Sequence, residues 1–166
     1  APSAWAVERG ITTGTSEDTF SPDALCTQGQ ILTFLWRAAG SPQAEALEAV
    51  SLNPAFAQAV AWAAEQGILD SADVSASGGA VLFNPSAPCT RGAAMSFLWR
   101  YAGSPEASAP GDFTDVAPNA PYAQAVAWAV ERGITSGTSE ATFSPGETCT
   151  RGQIATFLYR CLNEGG

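Results

Sequence analysis

The sequence predicts an all-α protein built from three helix-loop-helix repeats, and three observations predict it. One stretch occurs twice, as WAVERGITTGTSEDTFSP at 5–22 and WAVERGITSGTSEATFSP at 128–145, with 16 of 18 positions identical. A third copy lies between them: AQAVAWAAEQGI at 57–68 parallels AQAVAWAVERGI at 123–134, and CTRGAAMSFLWR at 89–100 parallels CTRGQIATFLYR at 149–160. Each copy also spaces its apolar residues at helical intervals between glycines and turn formers.

The repeats divide a single domain, 1–166, into repeat 1 (1–42), repeat 2 (43–105) and repeat 3 (106–166). Repeat 1 opens inside its first helix and reads as truncated at its N-terminus, without the segment FTDVAPNAPY that begins repeat 3 at 113–122. Repeat 2 has LEAVSLNPAF at 47–56 in that place, so Ala49 stands where repeat 3 has Asp115. Repeat 2 also carries a loop insertion near 70–82, because 16 residues separate Gly67 from Phe83 whereas 10 separate Gly133 from Phe143.

In repeat 3 the first helix is expected from about 121 to 132, with Tyr122, Val126, Ala129 and Val130 on its apolar stripe. Gly133 suits the left-handed residue that closes a helix, and Ile134 can then fold back over the last turn. Ala123, Ala125, Ala127 and Ala129 let helices approach closely, so three such helices are expected to form a central bundle. Phe143 is the expected anchor of the loop SGTSEATFSP. The second helix opens at Thr150, which with Gln153 makes a capping box, as Thr27 does with Gln30. Ile154, Phe157, Leu158 and Cys161 form its buried stripe, and Arg37, Arg100 and Arg160 near the far ends favour the helix dipole.

Composition narrows the function classes. At 166 residues and 46% hydrophobic, the chain can bury about two thirds of its unfolded surface, enough for one core. Sixteen acidic residues against seven basic ones give a net charge of -9, a balance that repels nucleic acid and anionic lipid. Histidine is absent, which removes the commonest general base and metal ligand. Glu17 with Asp18 and Asp70 with Asp73 lie in turn-rich loops, where neither carboxyl has the apolar pocket that an acid-base pair requires. No catalytic residue, cofactor or metal site is therefore assigned. Cys26, Cys89 and Cys149 occupy equivalent places just before the cap threonines and are expected to be buried thiols. Cys149 and Cys161 stand roughly 18 Å apart along one helix at 1.5 Å per residue, too far for a disulfide.

Arg91 and Arg151 work against their own helices. A cation in the first turn opposes the dipole by roughly 0.3 to 1 kcal/mol, and each is followed by a glycine, Gly92 or Gly152. A guanidinium beside the free N–H groups of a helix start makes an anion-binding corner. The glycines leave room there for a ligand or for a neighbouring backbone. The competing reading is a salt bridge to a carboxylate of an adjacent repeat, such as Asp115.

The FTDV opening, the Trp-Ala helix ending in Gly-Ile, the GTSEATFSP loop and the TRGQ helix start resemble the S-layer homology module, whose usual pattern has TRAE at the last position. Three tandem copies is that family's usual number. The resemblance implies a three-pronged, pseudo-threefold helical domain that holds a bacterial surface protein to secondary cell-wall polysaccharide, often through a pyruvylated sugar in the grooves between repeats. It implies Arg91 and Arg151 as anion contacts, with Gly92 and Gly152 allowing close approach. Trp62 and Trp128 become candidates to stack on a sugar or to fill the core, and Asp115 to accept from hydroxyls or orient an arginine. Gln28 replaces the arginine in repeat 1 and Ala93 departs from the pattern in repeat 2, so at most two working grooves are expected. The expected protein is a secreted, wall-associated monomer; the alternative is a diverged module that recognises another protein.

Overall fold

The computed structural model describes residues 24–43, 54–69, 88–107, 113–117, 119–120, 122–135, 137–138 and 141–164. Five helices run through them: α1 (Gln28–Ala38), α2 (Pro54–Glu65), α3 (Arg91–Tyr101), α4 (Ala123–Glu131) and α5 (Arg151–Glu164). No strand forms among these residues, and the protein is helical as its sequence pattern predicts. The loop insertion near 70–82, Ala49 and the first helix of repeat 1 lie outside the described residues.

Local signals set the helix ends. Thr27 and Gln30 exchange hydrogen bonds of 2.9 and 3.2 Å, and Thr150 and Gln153 repeat both distances, so α1 and α5 start on complete capping boxes. At α3 the Thr90 hydroxyl accepts from Ala93 N at 3.1 Å, but the alanine has nothing to return. The far ends of α2 and α4 close alike. Gly67 (φ 75°) and Gly133 (φ 73°) adopt the left-handed conformation, and the Ile68 and Ile134 amides reach back to Ala63 O and Ala129 O, each at 2.8 Å. Both isoleucines end 1% exposed.

Two indoles fix the exits of α1 and α3. Trp36 Nε1 donates to Pro42 O at 2.8 Å and Trp99 Nε1 to Pro105 O at 2.7 Å, across turns in which Ser41 and Ser104 take positive φ. In α5 the corresponding residue is Tyr159, and the helix continues to Glu164. Arg160 is therefore not in the last turn. Its Nη1 instead donates to Ile134 O at 3.2 Å, as Arg100 Nη1 does to Ile68 O at 3.1 Å.

Helix α1 packs on α2 and α3 packs on α4, and the core joins Ile31, Leu35, Val60, Leu98, Val126, Ile154 and Leu158. Phe143 anchors its loop at 0% exposure. Helix α4 begins at Ala123, two residues later than expected, after Tyr122, whose side chain makes no cap. Val130 is exposed, contrary to the stripe assigned to it, because the end of the helix from Val130 to Gly133 stands in solvent.

The centre is a ring of backbone hydrogen bonds. Cys26 N donates to Cys149 O at 2.9 Å, Cys149 N to Cys89 O at 2.8 Å, and Cys89 N to Cys26 O at 2.8 Å. Each cysteine gives one bond and takes one, and isolated bridges pair Leu25 with Thr150, Thr27 with Pro88 and Thr90 with Thr148. Three chain segments about 60 residues apart thus converge, and the starts of α1, α3 and α5 with them. The cysteine thiols are 0% exposed and free.

Candidate functional site

The ring creates three seams, each where the start of one helix meets the segment leading into the next. At the first, the start of α3 meets the lead-in to α5: Arg91 N donates to Glu147 O at 2.8 Å and Gly92 N to Pro145 O at 3.0 Å. At the second, the start of α5 meets the lead-in to α1, with Arg151 N donating to Ala24 O at 2.8 Å. At the third, α1 meets the lead-in to α3 through the Thr27–Pro88 bridge and the bond from Cys89 N to Cys26 O. Helix N–H groups that no carbonyl within the helix can reach are thus partly satisfied by a neighbouring segment.

Arg91 is 5% exposed, and its side chain crosses the first seam. Nε donates to Phe143 O at 2.8 Å and Nη2 to the Thr135 hydroxyl at 3.4 Å, while the guanidinium carbon lies 4.7 Å from the Phe143 ring centroid and 5.7 Å from that of Phe157. These partners are a carbonyl, a hydroxyl and two rings; none is a carboxylate. A guanidinium has five N–H groups, so three are left without an acceptor among the described residues. A buried cation with no carboxylate hydrogen-bonded to it is costly, so an anion at this point would be favoured.

Asp115 does not form the direct salt bridge considered from the sequence. Its carboxylate accepts from Phe143 N at 2.9 Å and Ser144 N at 2.8 Å, holding the peptide whose carbonyl takes the arginine. The Phe143 N–H is the main reason that its carboxyl titrates below the ordinary 3.8; burial opposes, and the Ser144 N–H and the charge of Arg91 add to the lowering. Asp115 therefore acts on Arg91 through the loop as well as by its charge. Phe113 packs against Phe143 at 5.7 Å between ring centroids, and Gly137 (φ 88°) is forced by that packing, since a Cβ there would lie 2.6 Å from the Phe113 ring.

The other predicted residues are placed as follows. Space at Gly92 is taken by protein: a Cβ would meet the Tyr122 ring at 3.1 Å and Pro145 O at 3.3 Å. Arg151 is 4% exposed with its guanidinium carbon 5.5 Å from the Phe34 ring centroid, and Gly152 is half-buried behind it. Trp62 and Trp128 are both core residues at 5% exposure, Trp62 against Tyr101 at 6.1 Å. Arg91 and Asp115 thus share one seam, whereas Arg151 belongs to another. Sequence reasoning missed Thr135 and the cross-seam phenylalanines; the Gly-Ile-Thr that recurs at 10–12 and 133–135 was the available signal for the threonine.

At the third seam the same places carry different chemistry. Gln28, half-buried, stands at the position of the arginines, Phe97 at that of Phe157, and Leu69, 2% exposed, at that of Thr135. The thiols at the ring are inert at neutral pH: burial pushes Cys26 up to about 12 and Cys149 to about 11, and Cys89 higher still. No group of three or more Cys, Asp or Glu among the described residues is placed to hold a metal ion.

The family model described as S-layer homology domain matches residues 4–32 and 112–155, the second match running from the Asp115 segment through the loop into α5. Over those two stretches the chain is similar to the S-layer homology domain. Domains of this family are non-catalytic modules that bind cell walls and attach proteins at the bacterial surface. The second match covers Asp115, Thr135, Phe143 and Arg151, so the far side of the Arg91 seam is itself S-layer homology sequence. No curated protein matches the chain. No helix of the described residues is long and apolar enough to cross a membrane.

Proposed function

We propose that the chain is a wall-anchoring module of three tandem S-layer homology repeats in a three-pronged, pseudo-threefold arrangement, and that it binds an anionic, pyruvylated sugar of secondary cell-wall polysaccharide at the seams. The single observation that carries this reading is Arg91, buried with three N–H groups lacking an acceptor among the described residues. A ketal carboxylate supplies the missing charge and matches a guanidinium fork with two oxygens. Asp115 sets the loop against which Arg91 rests. Arg151 is the second contact, with Gly92 and Gly152 keeping the helix starts close to their neighbours. Trp62 and Trp128, all but covered by protein, support the seam walls in this reading instead of stacking on sugar. The module is monomeric and serves a secreted protein at the cell surface.

Co-sedimentation with purified walls tests the reading without altering the protein. Binding is expected to disappear when mild acid removes the ketal from otherwise intact polysaccharide. Undiminished binding to such walls, or to walls stripped of polysaccharide altogether, refutes it and points to a protein partner.

A further inference from the structure

We infer that an anion bound at Arg91 fastens the α3–α5 seam selectively and leaves the α1–α3 seam as it was. This rests on the reading above and goes further, because it makes the ligand a structural part of one junction. Arg91 belongs to α3, yet its partners Thr135, Phe143 and Phe157 all belong to the far side of the seam. In the absence of ligand, closing this seam buries a cation that no carboxylate of the described residues hydrogen-bonds, so opening it to water recovers hydration. An anion at the N–H groups that have no acceptor among the described residues removes that advantage. By linkage, whatever binds the closed seam more tightly than the open one holds it shut.

The α1–α3 seam is an internal control. It is joined by the same backbone bond, from Cys89 N to Cys26 O at 2.8 Å, but Gln28 is uncharged and the threonine position is Leu69. Among the described residues its closure buries no cation, and it has no such gain from an anion. The Asp115 carboxylate faces the loop of the first seam, where it already accepts two N–H bonds and does not compete for the free edge of the guanidinium.

Amide hydrogen exchange of the unmodified chain, followed residue by residue by NMR, tests this with a methyl hexoside bearing a pyruvate ketal as probe. The same hexoside bearing an acetone ketal is the uncharged control. At a probe concentration of about 100 times Kd, the amides of Cys149, Arg91 and Gly92 are expected to slow by up to about 100-fold, and Cys89 to keep its rate. Binding of the charged probe with equal slowing at Cys149 and Cys89, or with no slowing at either, overturns the inference but spares the anchoring role. Equal binding of both hexosides, or of neither, overturns the anionic-sugar reading itself and the inference with it.

Discussion

At the start of α3 a guanidinium crosses to the neighbouring segment and meets a carbonyl, a hydroxyl and two rings; at the start of α1 a glutamine stands in the same place, and leucine replaces the hydroxyl. Yet the same cysteine amide bond of 2.8 Å runs beneath both. The difference teaches that the ring of main-chain bonds holds the helix starts together whatever the side chains are. The side chains then decide which seam retains a demand for charge. Arginine and threonine have been replaced together at the α1–α3 seam, as expected if Thr135 is there to serve the guanidinium. The sequence carries the change one step further, since Ala49 stands at the repeat position of Asp115.

The largest expected effect comes from separating charge from packing. Arg91→Met keeps the length and apolar contacts of the side chain and removes the cation. Affinity for pyruvylated polysaccharide is expected to fall by about 2 to 5 kcal/mol, at least about thirtyfold in Kd. Folding stability should change little or rise, because a well-packed apolar residue replaces a buried cation that no carboxylate of the described residues hydrogen-bonds. Gln28→Met should leave affinity where it was. Titration of both variants alongside their thermal melts makes the comparison; equal loss of affinity in the two would end the distinction between the seams.

A second effect is confined to the loop that receives Arg91. Gly137 has φ 88° and the Phe113 ring and Thr142 O at 2.6 Å from any Cβ, whereas Gly146, nine residues on, has nothing within 4 Å. Gly137→Ala is expected to destabilise by about 2 to 4 kcal/mol through overpacking and backbone strain, and Gly146→Ala to stay within about 0.5 kcal/mol of the parent. Urea denaturation of the pair measures how much of the seam depends on the Phe113–Phe143 contact.

What the sequence disclosed about these seams follows the range of the interactions. Thr27–Gln30, Gly133–Ile134 and the Phe143 anchor were legible because each depends on residues within a few positions or on burial alone. Burial of the three cysteines was legible for the same reason. Their cyclic pairing was not, since it depends on three backbones meeting in register from distant parts of the chain. The arginines drew attention by opposing their helix dipoles, but nothing local indicates that Arg91 turns into the protein. Its contacts lie 44 and 52 residues away in the chain. Val130 failed as a core residue because an apolar stripe identifies a face and does not reveal where the neighbouring helix ends.

The smallest expected effect concerns pH, and it tests whether Asp115 belongs with Arg91. Its folded pKa is depressed, first by the Phe143 N–H and further by the Ser144 N–H and Arg91, so its contribution to stability is present above the ordinary carboxylate value of 3.8 and is lost as pH falls through the lower folded value. The α3–α5 seam should therefore loosen only in acid, below about pH 4. Asp115→Asn removes this dependence, because the amide does not titrate and keeps one oxygen to accept from the loop. Denaturation midpoints of the parent and the variant, compared from pH 6 down to pH 2, should be offset at the upper end and converge at the lower. The Cys149 amide, which reports on this seam, should lose protection in step with the parent's titration. The Cys89 amide should not, since by repeat position the corresponding residue is Ala49. Parallel midpoints over the whole range would mean that the carboxylate contributes nothing to holding the loop against Arg91.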